Sequence, residues 1–318
     1  MKSKLIPLLC ITLHLCAQGA WAQVPDGSDM HLPRTPFRLQ SRAEVQLPPA
    51  VDNSTRKFFP PILDQMGGSC AQASGIGYMF TYEINRLLDR DAHASADHRF
   101  SYQFSWNLLN DGQDQGDFVD QGLYLSERYG IMTEQDYGIS GTYQFKWATG
   151  YDKYYKALQY RTQEVLTFAD SIPLMKRWLY DAGDGSAVGG VLTFSAMSRG
   201  WEIDDDYQGP SLTGYRSLLK GLATDGAHAL TIAGYDDTVV YTDAQGTPHT
   251  GAFIVVNSWG THSHDHGRFY LPYDFFRDAR VPEQQLGSTV EAIRVRIHRP
   301  LVVFRLALDF SSRNDLSF

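Results

Sequence analysis

The sequence predicts an α+β fold with two lobes, the first helical and the second rich in β-strands. Apolar residues recur at helical spacing in the first half of the chain, whereas short apolar runs bounded by turn residues dominate the second half. Helices and strands that segregate along the chain are typical of α+β proteins. The 318 residues suffice for one large domain or two small lobes. A cleft that binds a ligand is expected between the lobes.

The start of the chain has the pattern of a secretory signal. Lys2 and Lys4 precede an apolar run, and residues 20–22 (Ala-Trp-Ala) supply a small-x-small cleavage motif. Because the apolar run is too short to span a bilayer, residues 1–22 are predicted to be removed. The mature protein is then exported, periplasmic or secreted, with no membrane partner. Residues 23–44, rich in proline and polar residues, are interpreted as an extended leader or linker.

Charge and cysteine content narrow the function classes. With a net charge of −8 and no basic run, the chain is a poor nucleic-acid binder, and no cofactor is predicted. Cys10 and Cys16 leave with the signal, so the mature chain keeps Cys70 alone and forms no internal disulfide. A lone thiol in an exported protein is either a buried apolar residue or a reactive group.

The strongest helix prediction begins at Ser69 and continues through Leu88. Ser69 and Gln72 match a capping box, and apolar residues follow at helical spacing on one face. Gly75 and Gly77 weaken a helix, so they predict close packing against another element. Further helices are predicted over residues 102–109, 118–130 and 172–180.

Short apolar runs predict strands in the second half of the chain. They cover residues 188–194, 229–234, 239–241, 252–257, 268–271, 292–297 and 301–306. Gln245 and Gly246 mark the tip of a hairpin between two of these strands.

Cys70 is a candidate nucleophile because of where it lies in its helix. The first residue of a helix meets free N–H groups and the positive end of the dipole, so its thiol is expected to ionise more easily than a free cysteine. Gly67 and Gly68 leave room for a substrate backbone. The side-chain amide of Gln65, together with the Cys70 N–H, could donate hydrogen bonds to a developing oxyanion.

His228 and Asn257 are the candidate partners of this thiol. Imidazole titrates near neutrality and can move a proton, and His228 differs from the other histidines because it begins an apolar strand. Asn257 ends another apolar strand, where its amide could orient the imidazole and the neighbouring Trp259 could shield that contact. Each residue taken alone is also compatible with an ordinary structural role.

Taken together, these residues resemble the papain-like (C1) cysteine peptidases, of a bacterial exported type. Three segments carry the resemblance: residues 63–70 around Gln65 and Cys70, residues 225–237 around His228, and residues 253–269 around Asn257 and Trp259. Their order along the chain also agrees with that family.

The resemblance implies a two-lobe fold and a reaction. It predicts a catalytic domain over residues 45–300, with a helical left lobe over about 60–165 and an antiparallel, β-barrel-like right lobe over about 166–300. Residues 301–318 would form a C-terminal strand or extension. The active site would lie in the cleft, and a peptide or protein substrate would be hydrolysed through a thioester.

Departures from the family pattern keep other functions open. Gly67 replaces a cysteine common in the family, Ala71 replaces an aromatic residue, and Gln65 precedes Cys70 by five residues, one fewer than usual. A catalytically silent binding protein of the same fold is therefore an alternative. An acyltransferase or cell-wall peptide amidase that uses the same residues is another.

Two polar clusters are candidates for separate sites. The loop between Trp259 and Gly267 carries a possible metal-binding set. Its members are His262, His264, Asp265 and His266. A solvated loop without metal is favoured there. The aspartates of residues 204–206 could attract basic substrates, but a plain surface loop is favoured for them too.

Overall fold

The computed structural model describes residues 30–39, 45–110, 113–138, 148–169, 171–243, 246–277, 285–287 and 289–303. The predicted signal, residues 1–22, lies outside the described residues, as does most of the predicted C-terminal extension. Within the described ranges, no helix has the length and apolar character needed to cross a membrane.

Helices occupy mainly the first half of the chain. They are α1 (Cys70–Gln72), α2 (Thr81–Leu88), α3 (Tyr102–Asn110), α4 (Val119–Arg128), α5 (Glu134–Tyr137), α6 (Tyr151–Ala157), α7 (Ile172–Asp181) and α8 (Asp274–Arg277). A π-helical segment, Ala73–Phe80, joins α1 to α2 without a break, and short 3-10 turns lie at Asn53–Thr55 and Ala96–His98.

Strands dominate the second half. They are β1 (Arg34–Pro36), β2 (Ala50–Asp52), β3 (Tyr160–Thr167), β4 (Leu192–Met197), β5 (Glu202–Asp204), β6 (Leu218–Gly221), β7 (Ala227–Thr242), β8 (Pro248–Val256), β9 (Arg268–Pro272) and β10 (Glu291–Ile297). All belong to one sheet, ordered β1-β3-β10-β4-β7-β8-β9-β6-β5, with β2 paired to β7. The pairs β1–β3 and β6–β9 are parallel and the others antiparallel. The predicted α+β class is confirmed.

The helix that carries Cys70 is the buried axis of the helical half. Gly75 and Gly77 are both buried within it. A Cβ added at Gly75 would lie 2.9 Å from Cγ1 of Val119 in α4, and one at Gly77 would lie 2.5 Å from Cδ1 of Leu63. The close packing predicted from these glycines is therefore confirmed.

The predicted capping box is wrong, although the helix does begin at Cys70. Ser69 Oγ donates to the carbonyl of Met66 at 2.7 Å and makes no cap hydrogen bond. Gln72, fully buried, donates instead to the carbonyl of Phe118 at 3.1 Å. Packing against α4 draws Gln72 away from the helix terminus, so tertiary contact overrides the local motif.

The central hairpin is confirmed, with one strand longer than predicted. The predicted strands 229–234 and 239–241 form one continuous strand, β7, which pairs antiparallel with β8. Gly246 follows the end of β7, as the predicted tip requires.

Other strand boundaries differ from the prediction. The strand predicted from residue 188 begins only at Leu192, because Gly189 and Gly190 pack against the backbone and side chains of α7. Residues 301–303 carry no strand, and residues 304–306 lie outside the described residues.

Part of the predicted leader is a strand of the sheet. β1 pairs in parallel with β3, and Phe37, which follows it, is 5% exposed and stacks on Phe168 in the core. The Phe37 N–H also donates to the carbonyl of Thr167 at 2.8 Å. Residues 34–37 are thus attached to the β-rich half.

Candidate active site

A cavity of about 520 Å³ lies where the Cys70 helix meets the sheet. Cys70 lines it from α1 and His228 from β7, while α4, β4 and β10 supply further walls. The structure therefore brings two of the predicted residues, which are far apart in the sequence, to one cavity. Both come from elements whose backbones are held by the core, so their positions are fixed by the fold.

Cys70 is a free, partly exposed cysteine. Burial raises the pKa of its thiol, and the charge of Asp117 raises it further. Backbone N–H groups of Ala229, Ala71 and Cys70 itself act in the opposite direction and lower this pKa without reversing the shift. Burial therefore opposes the easier ionisation that the start of the helix is expected to give this thiol.

His228 is held in one orientation by Asn257. The ring Nε2 lies 2.8 Å from Asn257 Oδ1, and the same oxygen accepts the backbone N–H of Ser258 at 2.8 Å. Because a backbone N–H can only donate, the amide orientation is fixed and Nε2 must carry the proton. The Nδ1 lone pair is then left to accept a proton. Burial lowers the pKa of His228 to about 4, although the Asn257 contact opposes this shift.

Aromatic rings enclose the imidazole. Trp259 stacks on His228 with ring centroids 4.6 Å apart and planes 24° apart. Trp201 meets the imidazole edge-on at 6.2 Å and also contacts Trp259. His228 is only 4% exposed, so its hydrogen bond to Asn257 lies in a water-poor environment, where hydrogen bonds are stronger.

His264 joins this group, although the rest of its loop, residues 261–266, is exposed or partly exposed as expected of a solvated loop. Asn257 Nδ2 donates to His264 Nε2 at 3.2 Å, and His264 Nδ1 lies 3.4 Å from Asp205. The His264 side chain is only 9% exposed. Burial lowers its pKa. No group of three metal-ligating side chains occurs among the residues that the structure describes. Nothing in the loop sequence indicated the inward position of His264.

Gln65 contacts Ser258, the neighbour of Asn257, and is not among the residues that line the cavity. Its backbone N–H donates to the carbonyl of Ser258 at 2.7 Å, and its Oε1 accepts from Ser258 Oγ at 2.6 Å. Its Nε2 donates to the carbonyl of Gly67 at 3.0 Å. Gly67 has a left-handed φ of 54°, which turns its carbonyl into this contact within the short loop before Cys70.

Asp117 is a titratable group of the cavity that the sequence did not single out. It lines the cavity with Cys70. Its carboxylate accepts from Gln72 at 3.1 Å and from Asn110 at 3.2 Å. Burial raises its pKa to about 7, against these two hydrogen bonds. The charge beside Cys70 therefore changes near neutral pH.

Solved structures of similar fold are cysteine proteases. Xylellain, a cysteine protease from Xylella fastidiosa, is 19% identical, with a TM-score of 0.56 over 83% of this chain and 91% of its own. The proform of Amb a 11, a ragweed pollen cysteine protease, is 15% identical, with a TM-score of 0.51 over 81% and 69%. Procathepsin B S9 of Trypanosoma congolense is 17% identical, with a TM-score of 0.55 over 88% and 86%.

These likenesses define the fold. No family model matches the sequence, and no curated protein matches it. The protein has the papain-like α+β fold, as the resemblance predicted, with a sheet of open form. At these identities the likeness shows the fold alone.

Proposed function

We propose that this protein is a cysteine peptidase that hydrolyses peptide bonds with Cys70 as nucleophile and His228 as its proton partner. One observation carries the proposal. The Nε2 proton of His228 is held by Asn257, which leaves Nδ1 to act as a base in the cavity that Cys70 lines. Orientation of a base by a third group is the arrangement that activates such nucleophiles.

The reaction proceeds in two halves. The Cys70 thiol gives its proton to His228 Nδ1 as the sulfur attacks the scissile carbonyl, and the oxyanion accepts the Cys70 N–H. The leaving amine takes the proton from His228, and a thioester forms. Water then gives a proton to His228 and attacks the thioester, which releases the acid and restores the thiol.

The raised pKa of Cys70 and the lowered pKa of His228 favour a neutral pair before substrate binds. The proton is then transferred from Cys70 to His228 during the attack on the carbonyl, while negative charge passes from the sulfur to the carbonyl oxygen. Gln65 is the second proposed oxyanion donor. It must first exchange its 3.0 Å hydrogen bond to Gly67 for one to substrate.

Peptide turnover tests the proposal. Wild-type protein, Cys70→Ala and His228→Ala are incubated with a proteome-derived peptide mixture, and new termini are counted by mass spectrometry. Both variants are expected to lose turnover, whereas His93→Ala, which changes an exposed histidine that does not line the cavity, should retain it. Cleavage by Cys70→Ala at the wild-type rate would exclude this mechanism.

A catalytically silent binding protein is the second candidate. The raised pKa of Cys70 and the occupied amide of Gln65 favour it. Labelling with a thiol-directed peptide epoxide separates the two functions, because only a thiol that can be activated reacts quickly at neutral pH. Stoichiometric labelling of Cys70 that is lost in His228→Ala supports the peptidase, whereas an inert Cys70 supports the binding protein.

A further inference from the structure

Two carboxylates that line the cavity hold a guanidinium from the leader. Asp120 projects from α4 and Glu291 from β10, and their side chains are 11% and 7% exposed. Arg34 of β1 donates from Nε to Glu291 Oε1 at 2.5 Å and from Nη2 to Asp120 Oδ2. All three residues line the cavity that Cys70 also lines.

The carboxylate pair favours a cation in this position. Burial raises the pKa of Glu291, and the nearby charge of Asp120 raises it further, while Arg34 lowers it. Two carboxylates in a partly buried site cannot both stay ionised unless a cation offsets their repulsion. A guanidinium fits because its planar donors can reach two carboxylates at once.

Arg34 is held in a way that permits exchange. It belongs to a three-residue strand that is exposed throughout, and its side chain is 43% exposed although it reaches into the cavity. Its anchor is Phe37, three residues further on and buried. His31, three residues earlier, adds a second contact to Asp120 at 3.1 Å. The Arg34 side chain can therefore leave while Phe37 keeps the segment attached.

We propose that Asp120 and Glu291 form a subsite that binds a basic side chain of the substrate, arginine above all, next to the bond at Cys70. In the free protein Arg34 occupies this subsite as an intramolecular competitor. The proposal rests on the proposed function for the identity of the ligand as a peptide. The cation preference itself is a property of the two carboxylates and does not depend on turnover.

Lysine is expected to bind more weakly than arginine. The ammonium of lysine is a compact point charge that lacks the planar fork of donors with which arginine meets two carboxylates. Citrulline, the neutral isostere of arginine, keeps the shape but not the charge. The contrast between arginine and citrulline therefore isolates the charge from the packing of the side chain.

Binding to the full-length Cys70→Ala variant tests the subsite without catalysis. Fluorescein-labelled alanine hexapeptides carry arginine or citrulline at each position in turn, and fluorescence anisotropy gives each Kd. At one or two positions the arginine peptide is expected to bind at least about tenfold more tightly than the citrulline peptide. This factor is the typical contribution of one charge-assisted hydrogen bond. Equal affinity of arginine and citrulline at every position would overturn the proposal.

Variants assign the preference to the two carboxylates. Glu291→Gln and Asp120→Asn, each in the Cys70→Ala background, are expected to remove most of it. Asp89→Asn is the matched control, since it also removes one negative charge but lies on the surface with an 80% exposed side chain. An undiminished preference in both cavity variants, with melting temperatures near that of the parent, would overturn the assignment.

Arg34→Gln tests the competitor. If Arg34 occupies the subsite, its removal should tighten binding of the arginine peptide at least about threefold, because apparent affinity scales with the fraction of open sites. Weaker binding in Arg34→Gln would show that Arg34 is a structural partner and would overturn the competition.

Epoxide labelling of wild-type Cys70 keeps the two proposals apart. An inert Cys70 with an intact arginine preference would refute the peptidase alone. A labelled Cys70 without that preference would refute the subsite alone.

Discussion

Acid should destabilise this protein partly through His228. The pKa of His228 is about 4 in the folded protein, because the ring is buried. In the unfolded chain it has the ordinary histidine value of 6.5. At pH values between these two pKa values, the His228 imidazole is protonated in the unfolded chain and neutral in the folded chain. The free energy of unfolding therefore rises with pH in this range. This part of the stability is fully present above about pH 6.5. It is lost as the pH falls through about 4.

The magnitude follows from the shift. A shift from 6.5 to about 4, at 1.36 kcal/mol for each pKa unit, corresponds to about 3 kcal/mol of unfolding free energy between pH 7.5 and pH 4. This is a large part of the stability of an ordinary domain, which is roughly 5–15 kcal/mol. Because carboxylates titrate over the same pH range, the contribution of His228 is obtained as the difference between wild type and a variant that lacks this histidine.

Urea unfolding at several pH values measures the effect. His228→Gln, whose amide can still donate to Asn257, should lose about 3 kcal/mol less than wild type between pH 7.5 and pH 4. His93→Gln changes an exposed histidine and should follow wild type. Identical pH dependence in wild type and His228→Gln would refute the argument that burial of this ring lowers its pKa.

Three further changes should have defined effects. Asp117→Asn removes a charge that raises the pKa of Cys70, so the pH midpoint of thiol alkylation by iodoacetamide should move to lower pH. An unmoved or higher midpoint would contradict this. His264→Ala removes the acceptor of the Asn257 amide and should lower kcat/KM about two- to tenfold, the value of one hydrogen bond. His264→Gln restores an acceptor and should recover most of the activity, and failure of this rescue would argue against the bond. Gly77→Ala places a Cβ 2.5 Å from a neighbouring side chain and should lower the unfolding free energy by about 1–3 kcal/mol, measured with urea. Unchanged stability there would mean that the packing is looser than described.

Local patterns in the sequence predicted the helices and strands whose own residues show the hydrophobic spacing and turn residues of that element. The Cys70 helix and the β7–β8 hairpin are of this kind. The sequence could not show that β7 continues through Asp236, because a charged residue usually interrupts a buried strand. In the structure Asp236 is fully buried, with its carboxylate accepting hydrogen bonds from Thr238 and Thr213. Thr238 belongs to β7 itself, but Thr213 comes from a separate loop, which no local pattern reveals.

The same limit applies to the site. Cys70, His228 and Asn257 could be singled out because each lies at a predicted helix start or strand end. His264 and Asp117 could not, since their importance depends only on what the fold places beside them. Arg34 is the extreme case, because its three-residue strand has no periodicity and its partners lie on α4 and β10.

The charges of the cavity link the proposed subsite to the proposed nucleophile. Asp117 raises the pKa of Cys70, and the cavity also holds Asp120 and Glu291, so formation of a thiolate there is opposed by the field of the walls. A substrate without positive charge would displace Arg34 and leave the carboxylate pair without a cation. A substrate with an arginine side chain would replace the guanidinium of Arg34 with its own. The electrostatic field at Cys70 would then stay nearly constant during the attack. The two carboxylates would then select the substrate, and the guanidinium of the substrate would limit the electrostatic penalty at the sulfur when the Arg34 side chain leaves.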